Sequence, residues 1–343
     1  MKLKNLFTFA IVLFIISSAM VWTFKQGGII TLQQQAIKQI VPRPDLSFSE
    51  VVISEIAGPI RHWEIKAEQA VVEKKQAKLL KVKGVIYQKN RAMISFISPQ
   101  VFADLERSRF DMQKVTANSI EPKDDPWRLR AGTLSWNSSL SQLLGKKDVV
   151  VWNQRSQFQG DIFEGNVDFQ RFSLKDNARA ALWTVSENVT TPQVKITCTQ
   201  ISYLADKNII SASQNVKAYY TDLLLYGDSL IYYATVKDLT LLGHVLITYT
   251  SKDGIPAIIS SESASYNASI REAHFKDRVG LKYADIICQA DEAIFYQDKE
   301  YIELMGRVKA QDKEQKLSGD KLSVFLATKK IVVQGRTKFV APK

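Results

Sequence analysis

The residues most able to do chemistry are few. Three histidines, His62, His244 and His274, lie far apart without the spacing of a metal site. His62 and His244 each neighbour an inward strand position, so both are expected to point to solvent. Six carboxylates, Glu68, Asp161, Asp228, Glu262, Asp291 and Asp320, recur along the chain just after a small residue. A glycosidase needs two carboxylates facing each other at a set separation. A ladder repeated at even intervals fits a turn or bulge role instead, with each carboxylate accepting backbone N–H groups at a bend. Cys198 and Cys288 are the only thiols. Both fall on inward positions three repeats apart, beyond the ~7 Å Cα limit of a disulfide, so two buried free thiols are expected. No glycine-rich phosphate loop, nucleophile elbow or C-x-x-C motif is present. The sequence therefore indicates no catalytic residue, metal or cofactor.

The elements that carry these residues follow from a skipped beat. In "WEIKAEQAVV", Trp63, Ile65 and Ala67 share one strand face, and the next apolar pair, Ala70 and Val72, has the opposite parity. The same skip recurs around small residues at Ser98, Ala131, Gly160, Cys198, Gly227, Ser261, Ala290 and Gly319. Their spacing stays near thirty residues, the mark of stacked repeats that bury a face together. A second motif with a central glycine recurs around Gly243, Gly306 and Gly335, and more loosely around Gly84. Each unit thus reads as two strands, each with a small residue near its middle. A bulge with one extra residue would flip the parity, bend the strand and keep its apolar side inside.

From residue 46 onward short alternating runs replace any long amphipathic helix. The expected fold is all-β, an elongated antiparallel jelly roll of two facing sheets, with a parallel β-helix as the structural rival. The predicted inward positions are Trp63, Ile65, Phe96, Trp127, Leu129, Trp136, Ile196, Tyr203, Leu230, Tyr232, Tyr266, Phe295 and Leu322. A stacked pair of sheets has two open edges. The last run, 329–340, alternates well, so Ile331, Val333 and Phe339 mark a candidate edge for β-augmentation. Its Lys330, Arg336 and Lys338 fit a gatekeeper role equally well.

Before the strands, residues 6–24 form 19 consecutive uncharged positions flanked by Lys4 and Lys25. As a helix they would span about 28 Å, close to a bilayer core. We read residues 1–27 as a transmembrane anchor and 28–45 as a tether. A cleaved signal peptide, with Ser17 and Ala19 at the −3 and −1 positions, is the alternative. Either way the bulk of the chain is expected outside the cytoplasm. A formal charge of +11 suggests an anionic partner, but no Lys/Arg run indicates nucleic acid.

An N-terminal anchor followed by "W-x-I-x-A-x-x-A", then units with "A-D-x-A-x-F/Y" and "L-x-L-x-G-x-V", resembles the lipopolysaccharide-transport proteins LptC and LptA, the OstA-like group. Residues 46–185 resemble an LptC jelly roll, and 186–343 resemble OstA/LptA repeats continuing it. The folded part is about twice the length an LptC roll needs. The resemblance implies a single-pass inner-membrane protein with its bulk in the periplasm and no enzymatic activity. It would take lipopolysaccharide from an inner-membrane ABC transporter and pass it along an apolar groove to another jelly-roll bridge protein. The inward residues above would then line the groove. Two other readings stand beside this one: a structural or adhesive envelope repeat protein with a packed interior, and an exported polysaccharide-active enzyme. The longest gap between corner residues, from Gly160 to Cys198, is where a joint between the two halves is expected.

Overall fold

The structure, a computed structural model, describes residues 46–340 apart from 58–59, 74, 122–123, 184–191, 221 and 313–314. The anchor and tether lie outside the described residues, which belong to the unit Asp45–Lys343. Strands follow one another as β1 Leu46–Ala57, β2 Ile60–Glu73, β3 Gln76–Gln88, β4 Arg91–Asp104, β5 Arg109–Ser119, β6 Arg128–Asn137, β7 Gln142–Trp152, β8 Ser156–Asn166, β9 Arg171–Leu182 and β10 Val194–Leu204. They continue as β11 Ile209–Tyr220, β12 Leu223–Tyr233, β13 Asp238–Thr250, β14 Pro256–Asn267, β15 Glu272–Tyr283, β16 Ile286–Tyr296, β17 Tyr301–Asp312, β18 Gln315–Phe325, β19 Lys330–Gln334 and β20 Lys338–Val340.

Every ladder is antiparallel and, apart from β18–β20, joins sequence neighbours, so the parallel β-helix is excluded over the described residues. β19 and β20 both pair with β18, on its two halves, and act as one interrupted last strand. The sheet passes directly from β9 to β10, with Val194 opposite Leu182 and Leu204 opposite Arg171. At the position expected for a joint, strand pairing is thus unbroken.

Each strand bends once, and the bend is where the skip predicted it. All nine small residues sit at this corner, one on each even-numbered strand from β2 to β18. The mechanism differs from the expected one. At the corners of β7 to β17 an extra residue lies not on the skipping strand but on its odd-numbered neighbour, while at the corners of β1, β3 and β5 the register runs one to one with no extra residue. From β7 onward that neighbour carries two successive left-handed residues: Lys147–Asp148, Asp176–Asn177, Gln214–Asn215, Gly243–His244, Asp277–Arg278 and Gly306–Arg307. The register shifts there, for example from Leu242↔Ser263 to Val245↔Ser261, so two residues face one. Earlier corners use a single left-handed residue, Glu50, Lys81 or Lys114. Gly84 is not a corner residue. A Cβ there would lie 2.2 Å from the Phe96 ring, so this glycine makes room for an inward aromatic.

The corner divides every strand between two arms. Arm I holds the first half of each even strand and the second half of each odd strand, and arm II holds the rest. Their inward faces meet. Trp63 on arm I of β2 packs edge-on against Phe110 on arm II of β5, with ring centroids 4.8 Å apart. Tyr220 of β11 meets Tyr266 of β14 at 5.4 Å, and Tyr249 of β13 meets Phe295 of β16 at 4.9 Å. Arm I of one strand therefore covers arm II about three strands on, and the apolar core is one continuous seam. From β4 onward the arm II turns all have four residues, as at 105–108, 138–141, 205–208 and 297–300. Arm I loops vary, from 284–285 to 183–193. The uneven spacing of the corner residues comes from these loops.

Ala67 is buried between Val51 and Val82 at its corner, whereas neighbouring Lys66 is exposed. Ala67→Trp is expected to destabilise the fold by about 3 kcal/mol or more through overpacking. Lys66→Trp should stay within about 0.5 kcal/mol. Urea unfolding midpoints compare the two.

Candidate functional site

The seam is the most extensive shared feature of the strands. Of the predicted inward residues, Trp63, Ile65, Phe96, Trp127, Leu129, Trp136, Ile196, Leu230, Tyr232, Tyr266, Phe295 and Leu322 are all buried in the core cluster. Tyr203 is half-buried against it. The seam is filled by its own side chains. Phe110 stacks on Trp136 at 4.9 Å, and Phe158 meets Phe172 edge-on at 5.2 Å. Phe110, Phe172, Tyr220, Tyr249 and Tyr283 are seam residues that the sequence reading missed, and all lie on odd strands. On β9, β11, β13 and β15 two left-handed residues leave the apolar parity unchanged, so no skip flags the corner, whereas β5, which carries Phe110, does change parity, from Met112 to Val115. The signal available was an apolar gap of four, as from Leu241 to Val245.

No ladder joins arm I to arm II except through the corner. The facing rims are held by side chains, and in the C-terminal half these contacts are polar. The Tyr249 hydroxyl donates to Glu300 Oε1 at 2.8 Å, and the Lys252 backbone N–H donates to the same atom at 3.3 Å. Glu300 is 4% exposed, a buried carboxylate with several partners. Burial first, and then this hydrogen bond, push the Tyr249 phenol well above its ordinary range. The Tyr283 hydroxyl donates to the Leu326 carbonyl, and Asp222 faces Arg271 at 3.9 Å. In the N-terminal half, a cavity of ≈ 990 Å³ opens at the arm II rim of β5–β10. Its lining takes in the outward arm II positions Ser135, Leu144, Glu164, Ser173 and Ser202, and also Trp136 and Phe172, which are each 2% exposed. The Trp136 indole N–H has no hydrogen-bond partner among the described residues.

The corner carboxylates are taken up within the corner itself. Each stands on an even strand opposite the corner of the next odd strand; Glu68 meets Lys81, thirteen residues on, at 2.6 Å, and the partner of each of the other five lies sixteen residues on. Asp161 accepts from the Asn177 side chain at 2.7 Å, and Asp228 meets His244 Nδ1 at 2.8 Å. Glu262 pairs with Arg278, and Asp291 takes two hydrogen bonds from Arg307 at 3.0 and 2.7 Å. Among these ladder carboxylates the expected backbone N–H bond is seen at Asp320, from Arg336 at 3.1 Å. Hydrogen bonds from Arg307 hold Asp291 below the usual carboxylate range, and the Arg336 backbone N–H does the same for Asp320. Gly243 and Gly306 give these acids space. A Cβ there would lie 2.2 Å from Asp228 and 2.7 Å from Asp291, and both residues have positive φ.

Cys198 and Cys288 are free and buried on β10 and β16. Burial raises their thiol pKa values to about 11 and about 12, so neither is an activated nucleophile. The two sheet ends are β1 and the β19–β20 strand. Ile331 and Val333 are half-buried against the seam, while Phe339 is 55% exposed. On β1, Val52 and Ile56 are 57% and 56% exposed.

The hydrogen bond to Asp228 raises the His244 pKa. The pair's contribution is therefore complete below the ordinary value of about 6.5 and fades as pH rises through the higher folded value. Asp228→Asn is expected to lower the His244 pKa towards its ordinary value, read by its NMR ring-proton titration.

No curated protein matches this chain. Among solved structures, the crystal structure of LptH, the LptA homologous periplasmic component of the conserved lipopolysaccharide transport device from Pseudomonas aeruginosa, aligns over 44% of this chain and 90% of its own length. The identity is 10% and the TM-score 0.19. Residues 195–330, from β10 to the start of β19, match the model of the family described as LptA/(LptD N-terminal domain) LPS transport protein.

Proposed function

We propose that this chain is a membrane-tethered periplasmic component of lipopolysaccharide export. It receives lipid from an inner-membrane ABC transporter and passes it along the seam towards the outer membrane. The family match over residues 195–330 carries this reading. In it, residues 1–27 anchor the chain, 28–45 tether it, 46–185 form an LptC-like roll and 186–343 an LptA-like continuation.

Two physical features support the seam as the conduit. Arms without a mutual ladder can part by loosening side-chain contacts alone. An acyl chain entering between them exchanges apolar contacts for apolar contacts, so the main cost is rearranging side chains. The close packing of the seam favours a second reading, a structural envelope protein without a ligand.

Photo-crosslinkers at inward Phe96, Trp136 and Tyr232 are expected to capture lipopolysaccharide in cells. Those at outward Phe102 and Ile231 on arm II should not. Absence of lipid adducts at the inward sites would favour the structural protein.

The β19–β20 edge is the proposed dock for the next jelly roll, by β-augmentation. Deleting residues 329–343 should abolish co-purification of an LptA-type partner while leaving the strand content intact by circular dichroism. Unchanged partner binding would remove the docking role.

A further inference from the structure

The formal charge of +11 is not spread evenly over the roll. Between corner and rim, the outward positions of arm I carry Lys83 on β3, Arg128 and Arg130 on β6, Arg179 on β9, Lys195 on β10 and Lys217 on β11. Lys282, Lys309 and Lys316 continue the series on β15, β17 and β18. No Asp or Glu occupies such a position from β3 to β18 among the described residues. The outward face of arm II is mixed, and its charges pair, as in Lys175–Glu164 at 2.9 Å and Lys321–Glu303 at 2.8 Å. None of these nine cations is in an ion pair among the described residues, whereas Lys66 on arm I of β2 pairs with Glu64 at 3.3 Å and Arg91 at the β4 rim with Glu121 at 3.7 Å, and further pairs line the corners and arm II. Lys217 lies over the rings of Tyr219 and Tyr226, at 5.2 and 5.6 Å.

Register decides what such a face can hold. Arg179 stands opposite Thr197, and Thr197 opposite Lys217, while Lys195 stands opposite Tyr219. Cations on neighbouring or next-neighbouring strands are thus about 5–10 Å apart across the sheet. They spread along it rather than converge on one small anion. Like charges without counter-charges repel one another, and a partner of opposite sign relieves this. The uncharged positions between them are often apolar and open. Tyr219 is 44% exposed, Ile97 54% and Ile287 54%. Leu224, Leu246 and Ile258 occupy the strands between and are half-buried. A soluble polyanion gains little from aliphatic side chains. The headgroup boundary of a bilayer accepts both aliphatic and aromatic groups beside Lys and Arg.

We propose that the outward face of arm I rests on an anionic bilayer surface, with its lysines and arginines against lipid phosphates and its Tyr and Ile side chains at the headgroup boundary. This concerns the outside of the roll, so it holds or fails independently of what the seam carries.

The full chain, incorporated into phosphatidylcholine vesicles with or without phosphatidylglycerol, is acetylated with a water-soluble amine reagent and read residue by residue by mass spectrometry. Lys195, Lys217, Lys282 and Lys309 are expected to react roughly threefold or more slowly in the phosphatidylglycerol vesicles, relative to Lys78, Lys146 and Lys276 on arm II. The difference should vanish near 1 M salt, where the Debye length falls to about 3 Å. The combined variant Arg179→Glu, Lys195→Glu, Lys217→Glu should lose the protection at Lys282 and Lys309. Its circular dichroism tests whether the fold is kept, and the wild-type comparison stands without it. Equal rates on both arms with phosphatidylglycerol overturn the proposal. Protection by added soluble polyphosphate, with none from phosphatidylglycerol, assigns the face to a soluble polyanion and overturns it too.

Discussion

The structure depends on a backbone conformation that side chains disfavour. Each odd strand turns its corner through left-handed residues, and most are not glycine. For an ordinary residue that conformation costs about 1–2 kcal/mol, less for Asn and Asp. Asp148, Asp176, Asn177, Asn215 and Asp277 use that tolerance. The acid on the even strand adds a second support by holding the side chain of the second left-handed residue, as Asp291 holds Arg307 and Asp228 holds His244. At Gly243 and Gly306 the short Asp lies so close that a Cβ would not fit. Without the corner a strand would be straight, there would be no facing arms, and the apolar row would lie open to water.

The even strands were legible in the sequence because their corner changes parity. A single residue opposite two leaves apolar positions three apart, as from Ile259 and Ser261 to Ala264. An odd strand with two left-handed residues keeps its parity, so its corner passes for ordinary alternation. The carboxylates were visible as a ladder, but not their partners, because the sixteen-residue reach runs around a hairpin whose register no single strand reveals. The change from one left-handed residue to two, at β7, was likewise hidden. It does not coincide with the boundary near residue 185 inferred from the resemblance, and the family match, 195–330, lies within the two-residue region.

The charge face was illegible for a related reason. Alternation spaces its members two apart along a strand, among neutral residues, and ladders then bring them together across strands. A run of basic residues is one way to build a positive surface. One or two per strand, on strands that all bend the same way, is another. It leaves the sequence looking evenly mixed while arm II, built by the same alternation, receives both signs.

The same corner constrains what the ends of the sheet can accept. β19 pairs with Lys321–Phe325 on arm II of β18, and β20 with Lys316–Ser318 on arm I. Between them Gly335, with φ of 86°, repeats the left-handed corner, and Asp320 again supplies the acid. The last edge is therefore bent like the strands before it. A straight incoming strand could follow only one of its arms, for five residues or fewer. Pairing across both arms requires a strand that turns left-handed in register with Gly335 while keeping its apolar side inward. This is a property of jelly-roll strands of the same kind, and flat aggregating strands lack it. The edge thus limits its partners by geometry, in addition to the charges of Lys330, Arg336 and Lys338 that stand along it.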